Sequence, residues 1–128
     1  MKKQLDAARG TQGSMRNMEY EIREGWLKIL LSGDVTSELT RQIKNEIETL
    51  LDNSSPRPIV VCDMARVRFL DSSGIGMLVF LHNKLRQKVG RLYLYQPSVA
   101  VRKTLDLVQL LSFFELIDDE MEFLGQFP

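Results

Sequence analysis

The stretch best equipped for chemistry is Leu70-Asp71-Ser72-Ser73-Gly74-Ile75-Gly76, an acid and two hydroxyls set between an apolar run and a helical pattern. Asp and Ser are favoured helix N-caps, because a side-chain oxygen can accept from the orphan N–H groups of a first helical turn. The stretch is therefore expected to open a helix, where free N–H donors and the positive end of the dipole gather. A hydroxyl presented there can be modified or bound. Gly74 and Gly76 are expected to let another surface come close to the backbone.

Other reaction types find little support. Gly74 and Gly76 form a G-x-G, but the residues after them complete neither a dinucleotide fingerprint nor a phosphate loop ending in Gly-Lys-Ser/Thr. A hydrolytic serine needs glycine on both sides of a nucleophile elbow and a base, and His82 is the only histidine. His82 falls within an apolar stripe, so a hydrogen-bonded histidine at the edge of the core is expected in place of a catalytic one. Cys62 is the only cysteine, which excludes an internal disulfide and a cysteine-built zinc site. Within Ile59-Val60-Val61-Cys62 it reads as a buried, inert thiol. The expectation is a protein with no catalytic residues, no cofactor and no metal. A purely structural role for Asp71-Ser72-Ser73, as a helix cap alone, stays open on the chemistry.

Composition bounds the partners. Seventeen basic and seventeen acidic residues cancel, so no global field draws the chain to nucleic acid or an anionic membrane, and recognition must be local. No apolar run approaches the ~20 residues of a membrane span, and the N-terminus lacks the apolar region of a signal peptide. The chain is expected to be cytoplasmic, with no membrane insertion.

The elements that position the corner follow from periodicity. Residues 1–17, with Lys2, Lys3, Arg9, Gly10 and Gly13 and little apolar patterning, are expected to be a flexible N-terminal arm, and 18–128 the single domain. Met18, Tyr20 and Ile22 alternate with polar residues, Glu24-Gly25 turns, and Leu27, Ile29 and Leu31 continue on one face, as an antiparallel hairpin requires. Leu39, Ile43, Ile47, Leu50 and Leu51 recur at helical spacing. Ile59 to Cys62 reads as a strand buried on both faces. In the helix after Ser73, the spacing puts Ile75, Leu78, His82, Leu85 and Val89 inward, and Met77, Phe80, Lys84 and Lys88 outward. Met77 and Phe80 are thus expected to form an exposed docking patch. Gly90 is read as this helix's C-cap, Leu92 to Tyr95 as a strand, and Ser98 as the cap of a helix with Val101, Leu105, Val108 and Leu111 inward. Asp118-Asp119-Glu120 can open a last helix. Alternating strands and helices imply an α/β fold with a mixed, mainly parallel sheet of four to five strands, an N-terminal antiparallel hairpin and three to four helices.

These residues resemble a family. Leu70-Asp71-Ser72-Ser73-Gly74-Ile75-Gly76 after an apolar strand, with Leu31-Ser32-Gly33-Asp34 before the first helix, is similar to the STAS domain of bacterial anti-sigma-factor antagonists, over nearly the whole of 18–123. Thr36 stands where that family often has Asp, and Val108-Gln109 where it usually has Ser-Gly. The resemblance implies that Ser72 is the serine a partner kinase phosphorylates, with Asp71 the acid beside it and Ser73 the neighbouring hydroxyl. It implies a protein-binding switch in bacterial signalling and transcription regulation. The partners would be an anti-sigma factor that is also a serine protein kinase, and a PP2C-type phosphatase that resets the serine. The partner surface would comprise Asp71, Ser72, Ser73, Gly74, Gly76, Met77 and Phe80. A STAS subunit of a lipid or anion transport complex is the alternative within the fold; a small serine hydrolase using Ser72 is the alternative outside it.

Overall fold

The computed structural model describes residues 12–15, 17–52 and 56–127. Strands β2 (Met18–Arg23) and β3 (Trp26–Val35) form the expected antiparallel hairpin, with Arg23 opposite Trp26. Gly25 closes the turn at φ +88°, a left-handed value that costs a residue without Cβ little. A shorter strand, β1 (Gln12–Met15), lies antiparallel to β2 within the stretch expected to be a flexible arm. The rest of that expectation, residues 1–11 and 16, lies outside the described residues.

From β3 to β5 each strand is followed by a crossover. Helix α1 (Ser37–Asp52) leads to β4 (Ile59–Leu70), α2 (Ser72–Gln87) to β5 (Arg91–Tyr95), and α3 (Val99–Leu107) with a 3-10 turn (Leu111–Phe113) to β6 (Glu115–Ile117). The sheet order is β1-β2-β3-β4-β5-β6, and the last four strands are parallel. Four or five strands were expected, and the short strands β1 and β6 at the two edges extend the sheet to six. The class, the hairpin and the mainly parallel sheet are as expected.

Parallel neighbours joined in sequence by right-handed crossovers put their helices on one face. The main core accordingly joins Ile29, Cys62 and Leu94 of the sheet to Ile43 and Leu51 of α1, Leu78 and Leu85 of α2, and Leu105 of α3. On the other face a smaller core of Trp26, Val61, Tyr95 and Ile117 is covered by Phe123 and Phe127, at the end of α4 (Glu120–Gln126). Asp119 caps α4, accepting from the Met121 N–H, so the acidic run does open a helix. Burial pushes the Cys62 thiol up to about 12, with Asp63 adding to it, which leaves the thiol inert as expected.

Several features differ from the sequence reading. Strand β4 carries two register shifts against β3: Leu30 pairs with Asp63 but Ser32 with Arg66, and Gly33 pairs with Val67 but Asp34 with Phe69. Each inserts one extra residue in β4, so Met64, Val67 and Leu70 all reach the main core although they are three apart. Helix α2 is also rotated from its expected phase, burying Gly74, Met77, Leu78, Leu81 and Leu85. Met77 is only 1% exposed. Val89, expected inside, lies exposed just past the helix end in a left-handed conformation, so the chain turns there, one residue before the expected Gly90. Val108, also expected inside, is exposed beyond the end of α3.

Candidate functional site

The site is the junction between β4 and α2. The core residue Leu70 ends the strand, and Asp71 leaves it in extended conformation as the N-cap. Oδ1 of Asp71 accepts from the N–H of Ser73 at 3.0 Å, from the N–H of Gly74 at 3.1 Å and from the Ser73 hydroxyl at 2.5 Å. The Ser73 hydroxyl bond, followed by the two backbone N–H bonds, holds the Asp71 carboxyl below its ordinary value against the opposing effect of burial, so it is ionised at neutral pH. The two serines are thereby separated. Ser73 is partly buried and committed to Asp71, whereas Ser72 is exposed and its hydroxyl has no hydrogen-bond partner among the described residues.

The two glycines separate in the same way. A Cβ on Gly74 would lie 2.4 Å from Leu70 Cδ1 and 3.3 Å from the Val35 carbonyl oxygen, so this glycine lets α2 pack on the ends of β3 and β4. The expectation that Gly74 meets a partner is corrected: it is buried. A Cβ on Gly76 would meet nothing within 4 Å, so Gly76 faces open space. Met77 cannot dock a partner from inside the core. Phe80 is partly buried against the core, with Lys44 Nζ of α1 4.5 Å from its ring centroid. The expected Met77–Phe80 patch is therefore not a continuous surface. Lys84, placed on the same outer face by the sequence reading, pairs with Glu48 and Asp52 of α1 at 3.5 and 3.9 Å.

His82 sits ten residues along α2 from Ser72, about 15 Å at 1.5 Å per residue. It packs on Phe113 and Phe114 with ring centroids 4.4 and 6.1 Å away. The core-edge placement is as expected, but among the described residues aromatic contact takes the place of a hydrogen bond, and the imidazole lies too far along α2 to act as a base for Ser72. Among the described residues, no cluster of His, Cys, Asp or Glu is arranged to hold a metal ion, and no helix is long and apolar enough to cross a membrane.

Comparison with known proteins settles the family, because the STAS domain profile matches residues 17–123 and so spans the whole junction. The chain belongs to the STAS domain family. This STAS domain is 23% identical over 109 residues to the anti-sigma F factor antagonist of Paenibacillus polymyxa, a match covering 85% of this chain and 92% of that one. It is 30% identical over 91 residues to a Bordetella bronchiseptica protein with the provisional name anti-sigma factor antagonist BtrV, covering 71% and 77%. Its fold matches the anti-sigma factor antagonist SpoIIAA in its unphosphorylated form, with TM-score 0.71 and 24% identity over 83% of this chain and 92% of that one. SpoIIAA from Bacillus in its phosphorylated form matches with TM-score 0.64 and 23% identity, over 83% and 96%.

Two neighbours of the junction escaped the sequence reading. Phe69 is 51% exposed although it lies in an apolar run, and Arg68 Nε donates to Asp34 Oδ1 at 3.1 Å across the ends of β4 and β3. Arg-x-Leu-Asp spacing alone cannot reveal this, because the second register shift decides which side chains leave the core.

The Asp71 cap in this STAS domain makes a pH-dependent contribution to stability. Asp71→Ala should cost about 1 kcal/mol at neutral pH, as expected for loss of an N-cap. The folded-state value is depressed, so the stabilisation is complete above the unfolded carboxyl value of about 3.9 and is lost as pH falls through the folded value. Urea midpoints of wild type and Asp71→Ala should therefore differ at neutral pH and converge in acid. A gap that persists undiminished at about pH 2 would show that the ionised carboxylate is not the stabilising form.

Proposed function

We propose that this STAS domain is a non-enzymatic anti-sigma-factor antagonist, acting in the cytoplasm as a phosphorylation-switched binding module. With Ser72 unmodified it captures an anti-sigma factor that is also a serine kinase, and so frees the sigma factor. The observation that carries the reading is the division of labour at the junction: Asp71 engages Ser73 and leaves the exposed Ser72 hydroxyl available. The names of the relatives and the existence of SpoIIAA in a phosphorylated form support it.

The kinase transfers the terminal phosphoryl group of a nucleoside triphosphate to Ser72 Oγ. The new P–O bond replaces the bond to the diphosphate leaving group, and the hydroxyl proton passes to a base on the kinase. A PP2C-type phosphatase reverses the change with water, releasing inorganic phosphate. A phosphate adds roughly −1.5 to −2 charges at pH 7, here beside an already ionised Asp71. The N–H groups of Ser73 and Gly74 are already bonded to Asp71, so those two donors do not offset the added charge, which the helix dipole and solvent stabilise in part. Bulk and charge on an exposed residue alter what a partner meets more than they alter the core.

A serine kinase shown to bind this protein supplies the test. Incubation with nucleoside triphosphate should place phosphate on Ser72, Ser72→Ala should retain binding, and Ser72→Asp should weaken it at least tenfold with an unchanged circular dichroism spectrum. Phosphate mapped to Ser73, or undiminished binding by Ser72→Asp, would overturn the assignment.

A further inference from the structure

The second register shift of β4 singles out Arg68. Gly33 pairs with Val67 and Asp34 with Phe69, so Arg68 is the extra residue of a bulge immediately ahead of the Asp71-Ser72 junction. An extra residue breaks the alternation of a strand and re-aims a side chain. Here it sends the guanidinium to Asp34, with the two side chains 77% and 50% exposed. That contact uses Nε alone, and among the described residues the terminal nitrogens of Arg68 have no partner. Asp34 adjoins Val35, whose carbonyl accepts from the Asp71 N–H at 3.5 Å, so the ion pair and the junction share one end of the sheet.

We propose that Arg68 is the phosphate-holding residue of the switch. When Ser72 is phosphorylated, the guanidinium leaves Asp34 for the phosphate oxygens, and Asp34 is left uncompensated on the face a partner meets. The inference rests on the reading that Ser72 is the modified residue. Its energetic basis is the inequality of the two anions. An exposed carboxylate pair is worth little. A phosphate carries nearly twice the charge and three acceptor oxygens, and the planar fork of arginine matches it in two-point contact. Asp71 does not compete for the guanidinium with Oδ1, which already accepts three hydrogen bonds. Arg66, the next cation back along the strand, pairs in register with Ser32 ahead of the second bulge and is not re-aimed by it.

One chemical event would thus change two charges on the partner surface. The phosphate appears at Ser72, and the carboxylate of Asp34 is unmasked across the sheet end. Arg68 acts as a positioning residue for the modified state and is dispensable to the unmodified fold.

The test installs phosphoserine at position 72 by genetic encoding, so that neither a kinase nor a partner is needed. Urea unfolding of wild type, Arg68→Gln, Arg68→Lys and Arg66→Gln is then compared with and without the phosphate. The phosphate should lower the unfolding equilibrium constant of the wild type relative to that of Arg68→Gln by about fivefold, as one charge-assisted contact would. Arg68→Lys should restore part of this difference, and Arg66→Gln should behave as wild type. The Arg68 Nε–Hε resonance should also move on phosphorylation and acquire a through-bond coupling to phosphorus. Equal effects of phosphate in wild type and Arg68→Gln, or equal losses in Arg66→Gln and Arg68→Gln, would overturn the proposal. Because no partner is present, such a result would leave the role of Ser72 in binding standing.

Discussion

Shortening Met77 to alanine should cost the domain about 3 kcal/mol, the usual penalty for truncating a large side chain in a closed core. Met77 is 1% exposed and belongs to the cluster that joins α1 and α2 to the sheet. Phe80→Ala should cost less than truncation of a fully buried ring, because Phe80 is only partly covered and its ring also faces Lys44 at 4.5 Å, an interaction worth about 0.5–1 kcal/mol at exposed sites. Urea titration of both variants checks this directly. If Met77→Ala unfolds at the wild-type midpoint, α2 has the phase first read from the sequence, and Met77 points outward.

Alanine at the two glycines should move stability in opposite directions. At position 74 the new methyl meets Leu70 at 2.4 Å beside a backbone oxygen, and overpacking of this kind costs roughly 1–3 kcal/mol. At position 76 it meets nothing, and replacing a helical glycine by alanine gains up to about 1 kcal/mol. Since about 1 kcal/mol moves the midpoint of a domain of this size by a few degrees, thermal melts resolve both signs. A partner that closes over the junction should bind Gly76→Ala less well although that variant is the more stable. Such a split between stability and affinity would mark Gly76 as a contact residue, while parallel changes would mark it as structural only.

The parts of the fold that sequence pattern made legible are those in which one face is apolar and the other is not. Helix α1 is the clear case: Leu39, Ile43, Ile47, Leu50 and Leu51 are the only strong hydrophobes on it, and all are buried. Helix α2 contains Ile75, Met77, Leu78, Val79, Phe80 and Leu81, so several stripes compete and periodicity cannot choose among them. The choice is made by packing: Gly74 must lie against Leu70, which sets the rotation of the helix, and α1 covers a second side. The bulges in β4 were hidden because an alternating pattern assumes a constant register, although Met64, Val67 and Leu70 at a spacing of three hint at the departure. At the junction, the cap chemistry of Asp71 was legible from residue type. Which serine it holds, and which glycine it leaves facing outward, required the turn itself.

The rear of the sheet behaves as a second, thinner body. It is a small, aromatic-rich cluster with Val61 and Ile117, in which Trp26 touches Phe123 and Phe127 with centroids 5.7 and 5.1 Å away and has its indole N–H buried with no partner among the described residues. Lifting the seven-residue α4 uncovers this smaller core while leaving the main core closed, and lets the indole N–H bond to water, so its opening costs less than global unfolding. Trp26 is also the only tryptophan. The intrinsic fluorescence of the protein therefore reports on its last helix, and a change in emission can occur while the helical layer on the other side of the sheet stays folded.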